Sequence, residues 1–440
     1  MNFKRLPVSF AAAACVALAM APAAQAQNLQ ALYEASRAFD PAYQAARALA
    51  SSAQFKVDQS DALLKPSAAV VANATLTQLG QPRIGTGDSN SIGSTVSGKY
   101  PLFNRANAVT VEQSRKGLEV AQADLDTAEQ DLIIRLAQAY FDVLASQDTY
   151  GTTLASKKAI TEQLASAKRN FEVGTATITD TREAQARFDL ATAQELAAEN
   201  DLRTKRIALD QLVGRSNVAP KPLAVPVTLP AVLPPNAEEW VTAAMIQHPS
   251  MRRARVGHEV AKLETNKAKA GEAPTVDAVG SVGLTRSSGS SASLPGFTRQ
   301  ATVGVQLNMP LYTGGAVQGR ISETLALEEK SRLDIETVRG AISQGTRVAY
   351  FGVVSGKAQV AALEAAESST KLALEATQLG YKVGVRVNLD VLNAQTQLFQ
   401  TQRDLAKARY DVLMGGLRLR QASGQLVQGD LEAVNQMIAK

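Results

Sequence analysis

The sequence predicts a mainly α-helical protein with a small β part, built from two tandem repeats. Each repeat supplies two β-strands and long coiled-coil helices. Three observations carry this prediction. The first is internal repetition within the 440-residue chain. Asp40-Pro41 returns as His248-Pro249, Tyr100-Pro101-Leu102-Phe103 as Met309-Pro310-Leu311-Tyr312, and Ala139-Tyr140-Phe141 as Ala349-Tyr350-Phe351. Val173-Gly174 then matches Val383-Gly384, Asp180 matches Asp390, and Ala184-Gln185 matches Ala394-Gln395. The offset drifts only from 208 to 210, and chance does not hold a register over most of each half. The second observation is that no proline occurs between Pro101 and Pro220, or after Pro310. The third is a period-two alternation in front of each proline-free stretch.

Taken in order, the N-terminus reads as an address. Lys4 and Arg5 precede an apolar run over 8–21, and Ala24-Gln25-Ala26 offers a small-x-small cleavage site. Residues 1–26 are therefore read as a signal peptide. Cys15 raises an alternative, an acylated lipoprotein, since acylated cysteines follow small residues such as Ala13-Ala14. The apolar run continues past it, however, and Ala12 stands where a Leu is usual. No later segment offers about 18 consecutive apolar residues, so no transmembrane helix follows. An exported chain of this kind is either a soluble periplasmic protein or an outer-membrane barrel.

Composition removes other classes. With 46 Lys+Arg against 41 Asp+Glu there is no basic field for nucleic acid. Two histidines and one cysteine exclude a zinc site of several His and Cys ligands. Nucleophile–histidine catalysis has only His248 or His258 to use, and His248 reads more plainly as a helix-start His-Pro turn. No cofactor is called for, and the chain is read as not an enzyme.

Repeat 1 spans 27–219 and opens with a helical stretch over 28–65. Strands follow at about 68–79 and 93–103, around a Gly/Ser/Asn-rich loop at 80–92. A helical hairpin over about 104–214 carries apolar residues at heptad spacing, such as Leu118, Leu125 and Leu132. Its first arm would span about 100 Å, far beyond a globular helix, and is coiled-coil material. Six prolines between Pro220 and Pro235 mark an extended linker, 220–235. Repeat 2, 236–425, begins with a helical stretch over 236–271. Its strands fall at about 275–285 and 299–312, flanking a loop at 286–298, and its hairpin at about 313–424. A tail covers 426–440. Both hairpins break at a glycine, Gly174 and Gly384, the expected helix stop. The next helix in repeat 1 then starts with Asp180 at the cap and Glu183 three residues on.

Two strand pairs cannot close a barrel alone, because open edges are not tolerated in lipid. Three chains would give twelve strands, within the range of outer-membrane barrels.

The repeat, the strand pairs ending in Pro-Leu-aromatic, and the tips at 171–180 and 381–394 resemble the TolC-type outer-membrane efflux proteins. The second tip, Tyr-Lys-Val-Gly-Val-Arg-Val-Asn-Leu-Asp-Val-Leu-Asn-Ala, is the most specific single match, and the likeness covers nearly the whole mature chain. It implies a homotrimer with a 12-stranded β-barrel in outer-membrane lipid and an α-helical barrel across the periplasm of a Gram-negative cell. It also implies docking on a periplasmic adaptor (membrane fusion protein) and an inner-membrane ABC or proton-driven pump. The cargo would be drugs, or polypeptides in type I secretion.

Matched position by position, the resemblance implies a closed-state latch between Asp180 and Arg386, with Tyr381 in the same network. The alternative for Asp180 is a helix cap and no more. The resemblance further implies an acidic constriction at Asp390, where the family's second acid is replaced by Asn393. Val173, Gly174 and Thr175, with Val383, Gly384 and Val385, match its adaptor-docking segment, although the Leu often following the Gly is absent. Two further alternatives are the acylated channel and a soluble periplasmic adaptor. An adaptor carries one hairpin flanked by lipoyl-like β domains, whereas this chain offers two hairpins and no such domains.

Overall fold

Each repeat opens with a helix that a proline divides. The computed structural model describes residues 28–78, 88–224, 229–288 and 296–437. It places α1 at Leu29–Phe39 and α2 at Pro41–Asp61, and in the second repeat α5 at Ala237–Gln247 and α6 at Pro249–Lys269. The helical stretches expected over 28–65 and 236–271 are thus two helices each, the second divided at the expected His-Pro turn. The cause is local, since a proline ring clashes with a preceding helical turn but suits the first helical position. Asp40 Oδ1 accepts from the Tyr43 N–H at 2.8 Å, and His248 Nδ1 accepts from the Ser250 N–H at 3.1 Å, so each residue caps the helix that follows. Arg135 grips the Asp40 carboxylate at 2.8 and 2.9 Å and holds its pKa below the usual carboxylate range. Burial pushes the His248 imidazole down. The expected signal peptide and Cys15 lie outside the described residues, as do 79–87 and 289–295 of the two strand loops.

The four strands form one antiparallel sheet in sequence order: β1 (Ser67–Gln78), β2 (Asp88–Phe103), β3 (Thr275–Ser287) and β4 (Gly296–Asn308). The repeats are joined at its centre, where Val96 of β2 lies opposite Val282 of β3. β4 stops at Asn308, short of the expected 312. Pro310 has no N–H for the ladder, and Gly314 and Gly315, at φ 61 and 84°, then turn the chain. The equivalent Pro101 lies inside β2, and the ladder slips register between Pro101 and Phe103.

Register sorts the side chains into two unlike faces. One carries Val70, Val96, Val282, Val303, Val305 and Leu307; the other carries Asn73, Thr95, Ser97, Ser281, Thr302 and Gln306. On the polar face Lys99 pairs with Asp277 at 2.7 Å. Alternation of this kind suits a sheet with lipid on one side and water on the other.

The long helices follow. α3 (Arg105–Glu172) has 68 residues and α7 (Ala316–Lys382) has 67, each about 100 Å long at 1.5 Å per residue. They return as α4 (Ile178–Val213) and α8 (Asn388–Ala422). Near the sheet the layer order is α2–α3–α6–α7, and at the far end it is α4–α3–α8–α7. α3 has a helix on either side throughout, whereas α7 has one only on one side. This asymmetry decides burial: Phe141 on α3 is 2% exposed and its repeat-mate Phe351 on α7 is 60% exposed.

The described residues of the extended Pro-rich linker lie against the helices. A chain poor in N–H groups can mainly accept hydrogen bonds, and the helices supply the donors. Tyr140 Oη donates to the Lys221 carbonyl at 3.0 Å and its repeat-mate Tyr350 to that of Pro235 at 2.6 Å. Trp240 Nε1 donates to the Pro234 carbonyl at 2.9 Å, and Lys357 Nζ to that of Pro230 at 3.0 Å. The Ala224 N–H donates to the Met437 carbonyl at 2.9 Å, joining linker to C-terminus. Part of the expected tail is helical: α9 (Gly429–Asn435) docks on α1, where Asn435 Oδ1 accepts from the Leu29 N–H at 2.9 Å.

Candidate functional site: hairpin tips and sheet faces

At each tip the chain reverses in a few residues by the same device. Gly174 and Gly384 take φ 78 and 77°, the left-handed region that suits glycine. Beyond them the Thr175 and Ala176 N–H groups donate to the Asn170 carbonyl at 2.8 and 3.2 Å. The Val385 and Arg386 N–H groups likewise donate to the Gly380 carbonyl at 2.9 and 3.1 Å. Val173, Gly174, Thr175, Val383, Gly384 and Val385 are all exposed, so each tip offers valine side chains to solvent.

The helix restart at tip 1 differs from the expected one. The N-cap of α4 is Thr177, and Asp180 stands three residues later as the acid of the capping box. Asp180 Oδ2 accepts from the Thr177 N–H at 2.9 Å and from its Oγ1 at 2.7 Å, while the Asp180 N–H donates back to Oγ1 at 3.2 Å. Thr177 is preferred because its hydroxyl can accept while its backbone stays extended. At tip 2 the capping position is Val387, which has no acceptor, and only half the box forms: Asp390 Oδ2 accepts from the Val387 N–H at 3.4 Å.

Within one chain Asp180 and Arg386 are not brought together. Arg386, in the turn before α8, instead reaches Asp390 in the first turn of that helix, at 3.7 Å. Its stem crosses Gly380, where an added Cβ would lie 2.8 Å from Arg386 Cγ. Tyr381 reaches the other hairpin, with its Oη accepting from Asn170 Nδ2 at 3.0 Å. Asn393 also crosses, its Oδ1 accepting from Arg187 Nη2 at 2.9 Å. Gln163 Nε2 donates to Asn388 Oδ1, a further cross-hairpin bond. Asn170, Gln163, Arg187 and Asn388 were not singled out from the sequence. Their spacing held a signal: 163 and 170, like 180 and 187, are seven apart and share a helix face.

The two histidines serve packing and capping. His248 caps α6, and His258 Nδ1 lies 2.8 Å from Ser331 Oγ. Ser331 Oγ donates to the Glu328 carbonyl at 2.7 Å, a helical back-bond that occupies its proton. No group of three or more acidic, His or Cys side chains among the described residues is placed to hold a metal. No described helix is long and apolar enough to cross a membrane.

Comparisons with known proteins agree with this geometry. The family described as "Outer membrane efflux protein" matches residues 32–215 and 240–425, one segment per repeat. Outer membrane protein TolC of Vibrio cholerae serotype O1 is 30% identical over 419 residues, covering 94% of this chain and 95% of that protein. The alkaline protease secretion protein AprF of Pseudomonas aeruginosa is 34% identical over 357 residues, covering 79% of this chain and 72% of that protein. Among solved structures, the outer membrane protein VceC of Vibrio cholerae superposes with a TM-score of 0.77 at 19% identity, over 90% of this chain and 96% of its own. At that identity the likeness speaks for the fold. By their names these relatives and neighbours are outer membrane and secretion proteins, not enzymes. With the repeat pair, the two-faced sheet and the long hairpins, they show that the chain belongs to the outer membrane efflux protein family and is an exit channel of the outer membrane extending into the periplasm.

Proposed function

We propose that three copies close into one passive conduit that receives cargo at the hairpin tips from a periplasmic adaptor and an inner-membrane pump. The observation that supports this most strongly is that the chain is unfinished at the same two edges along its whole length. In the sheet, β1 and β4 each have one unpaired side. In the helical layer, α7 ends one side, with α2 or α4 on the other. Apolar residues crowd these edges. Leu263 on α6 is 8% exposed against α3, while its repeat-mate Phe55 on α2 is 70% exposed. Repetition states which surfaces must meet. The contact of α3 with α6 and α8 inside the chain corresponds to a contact of α7 with α2 and α4 of the next chain. Such a head-to-tail contact forms a ring when the rotation closes.

The closure is tested by a cross-link placed by this correspondence. Phe141 packs on Tyr410 with ring centroids 5.9 Å apart, and their repeat-mates are Phe351 and Asn200. In a Cys15→Ser background, which removes the chain's one cysteine, Phe351→Cys with Asn200→Cys is expected to yield dimer and trimer bands with a short bismaleimide. Either single variant should remain monomeric on a denaturing gel. Intrachain product only, or a ladder running beyond three, would refute the ring.

At the tips, the proposed constriction consists of Asp390 with Asn393, and the proposed latch joins Asp180 to Arg386 of a neighbouring protomer, with Tyr381 beside it. Support for an unoccupied latch partner is that Arg386 is exposed and pairs only loosely within its chain. Val173–Thr175 and Val383–Val385 form the proposed adaptor-docking surface. Asn393→Asp is expected to increase block of single-channel current by multivalent cations added from the periplasmic side. The gain should be modest, because Arg187 already contacts Asn393 and would neutralise part of the new charge. Adding Arg187→Gln should release the full effect; unchanged block in both variants would remove these residues from the lumen.

A further inference from the structure

The apolar face of the sheet carries two arginines at its far end, and neither has an acidic partner among the described residues. Arg286 lies opposite Phe297, and Arg299 lies opposite Leu284, so the two sit diagonally across β3 and β4 on the same face as Val282 and Val303. Diagonal neighbours are about 7–8 Å apart, close enough for two long side chains to converge on one group. Both are exposed. They are the only charged residues on that face whose side chains are described. The guanidinium of Arg286 lies over the Phe297 ring, 5.4 Å from its centroid, a cation–π contact that uses none of its N–H donors in a hydrogen bond. Asp277, the acid at the other end of the sheet, faces the opposite side and is engaged by Lys99. From Ala278 to Ser322 the chain contains no Asp or Glu at all.

Their height is informative. Arg299 lies nine residues along β4 from Asn308, about 30 Å of strand at about 3.4 Å per residue. With a tilt of about 40° that is a rise of roughly 23 Å, close to the apolar band of about 25 Å typical of outer-membrane barrels. The helices leave the other end of the strands, so the arginine row stands at the extracellular boundary of the lipid. An Arg costs a few kcal/mol at the bilayer midplane and almost nothing at the interface. A stacked aromatic–arginine pair at this level fits the headgroup region, where aromatic rings and basic side chains collect. Guanidinium groups match phosphate oxygens through paired N–H donors.

We propose that Arg286 and Arg299 form a binding site for the phosphate of an anionic lipid in the outer leaflet, one site per protomer. The site anchors the barrel against vertical movement and retains a phosphorylated lipid through extraction. Each basic side chain beside an anionic lipid surface gives about a fivefold preference, so the pair amounts to about twenty-five-fold.

The test is native mass spectrometry of the purified full-length assembly incubated with diphosphoryl lipid A or with its dephosphorylated form. The wild type is expected to retain the phosphorylated lipid about twenty-five-fold better, at up to one molecule per protomer. Arg286→Gln with Arg299→Gln should bring that ratio close to one, whereas Arg286→Lys with Arg299→Lys should keep several-fold preference. Millimolar inorganic phosphate should not displace the lipid. Equal retention of both lipids by the wild type would overturn the proposal. So would a Gln variant that keeps the full preference, or displacement by free phosphate, which would make this an ordinary anion site. If the Gln variant does not assemble, the wild-type lipid comparison and the Lys variant decide the matter.

Discussion

Gly424→Ala is expected to be among the most damaging single substitutions in the chain, although it adds one methyl group. Gly424 ends α8 with φ 72°, and a Cβ there would stand 2.4 Å from His248 Cα and 2.6 Å from His248 N. Both clashing atoms are backbone, so no rotamer change relieves them. The left-handed conformation alone costs an alanine about 1 kcal/mol, and forced backbone movement in a packed region adds about 1–3 kcal/mol. Gly384→Ala supplies the control, because Gly384 has φ 77° but nothing within 4 Å of the added Cβ. Only the conformational term applies there. Gly424→Ala should therefore lower the temperature at which the assembly dissociates, read by heated gel electrophoresis, well beyond Gly384→Ala. Equal shifts would mean that the helix end can slide away from the His248-Pro249 junction. Gly214 makes the same prediction in the first repeat at lesser strength, since a Cβ there meets the Phe39 ring at 2.3 Å and a side chain can yield.

Arg386→Ser is expected to raise single-channel conductance in planar bilayers without reducing the yield of assembled channel. An exposed ion pair contributes about 0–1 kcal/mol. Three copies acting on one concerted opening give up to about 3 kcal/mol, or roughly a hundredfold in the closed-to-open ratio. Asp180 is a poorer target, because it also completes the capping box with Thr177 and its loss would fray α4. Asp180→Asn, which keeps an acceptor, is the better partner for a double-mutant cycle with Arg386→Ser. A double variant no more open than either single would locate the contact between these residues, as coupled residues are non-additive. Conductance that rises in Arg386→Ser and in Asp390→Asn, but not in Asp180→Asn, would mean that only the pairing within tip 2 matters. Gly380→Ala probes the same place differently, displacing the Arg386 stem without removing its charge.

How legible these features were depends on whether their causes are local. The repeat, the proline-free helices, the alternating strands and the Gly174 and Gly384 reversals depend on neighbours within a few residues, and the sequence shows them directly. The splitting of the helices was equally local: His248-Pro249 read as a helix start, whereas the matching Asp40-Pro41 was not drawn out because its stretch kept a helical composition on both sides of the proline. Thr177 was missed as the cap for a related reason: two capping-competent residues stand three apart, and only backbone direction says which one starts the helix.

Other features have no local cause. Phe141 and Phe351 occupy the same repeat position with the same neighbours, yet one is buried and the other exposed, because α3 is flanked on both sides and α7 on one. The Pro-rich segment reads as an extended linker, and what it lies against appears only once the tyrosines and Trp240 that donate to its carbonyls are placed beside it. The sequence by itself determined the elements, their order and the family likeness, because backbone sterics and hydrophobic period act over a few residues. Tertiary structure alone decided which partners Tyr381 and Asn393 take within the chain and which edges remain open, because those depend on contacts between residues about two hundred positions apart.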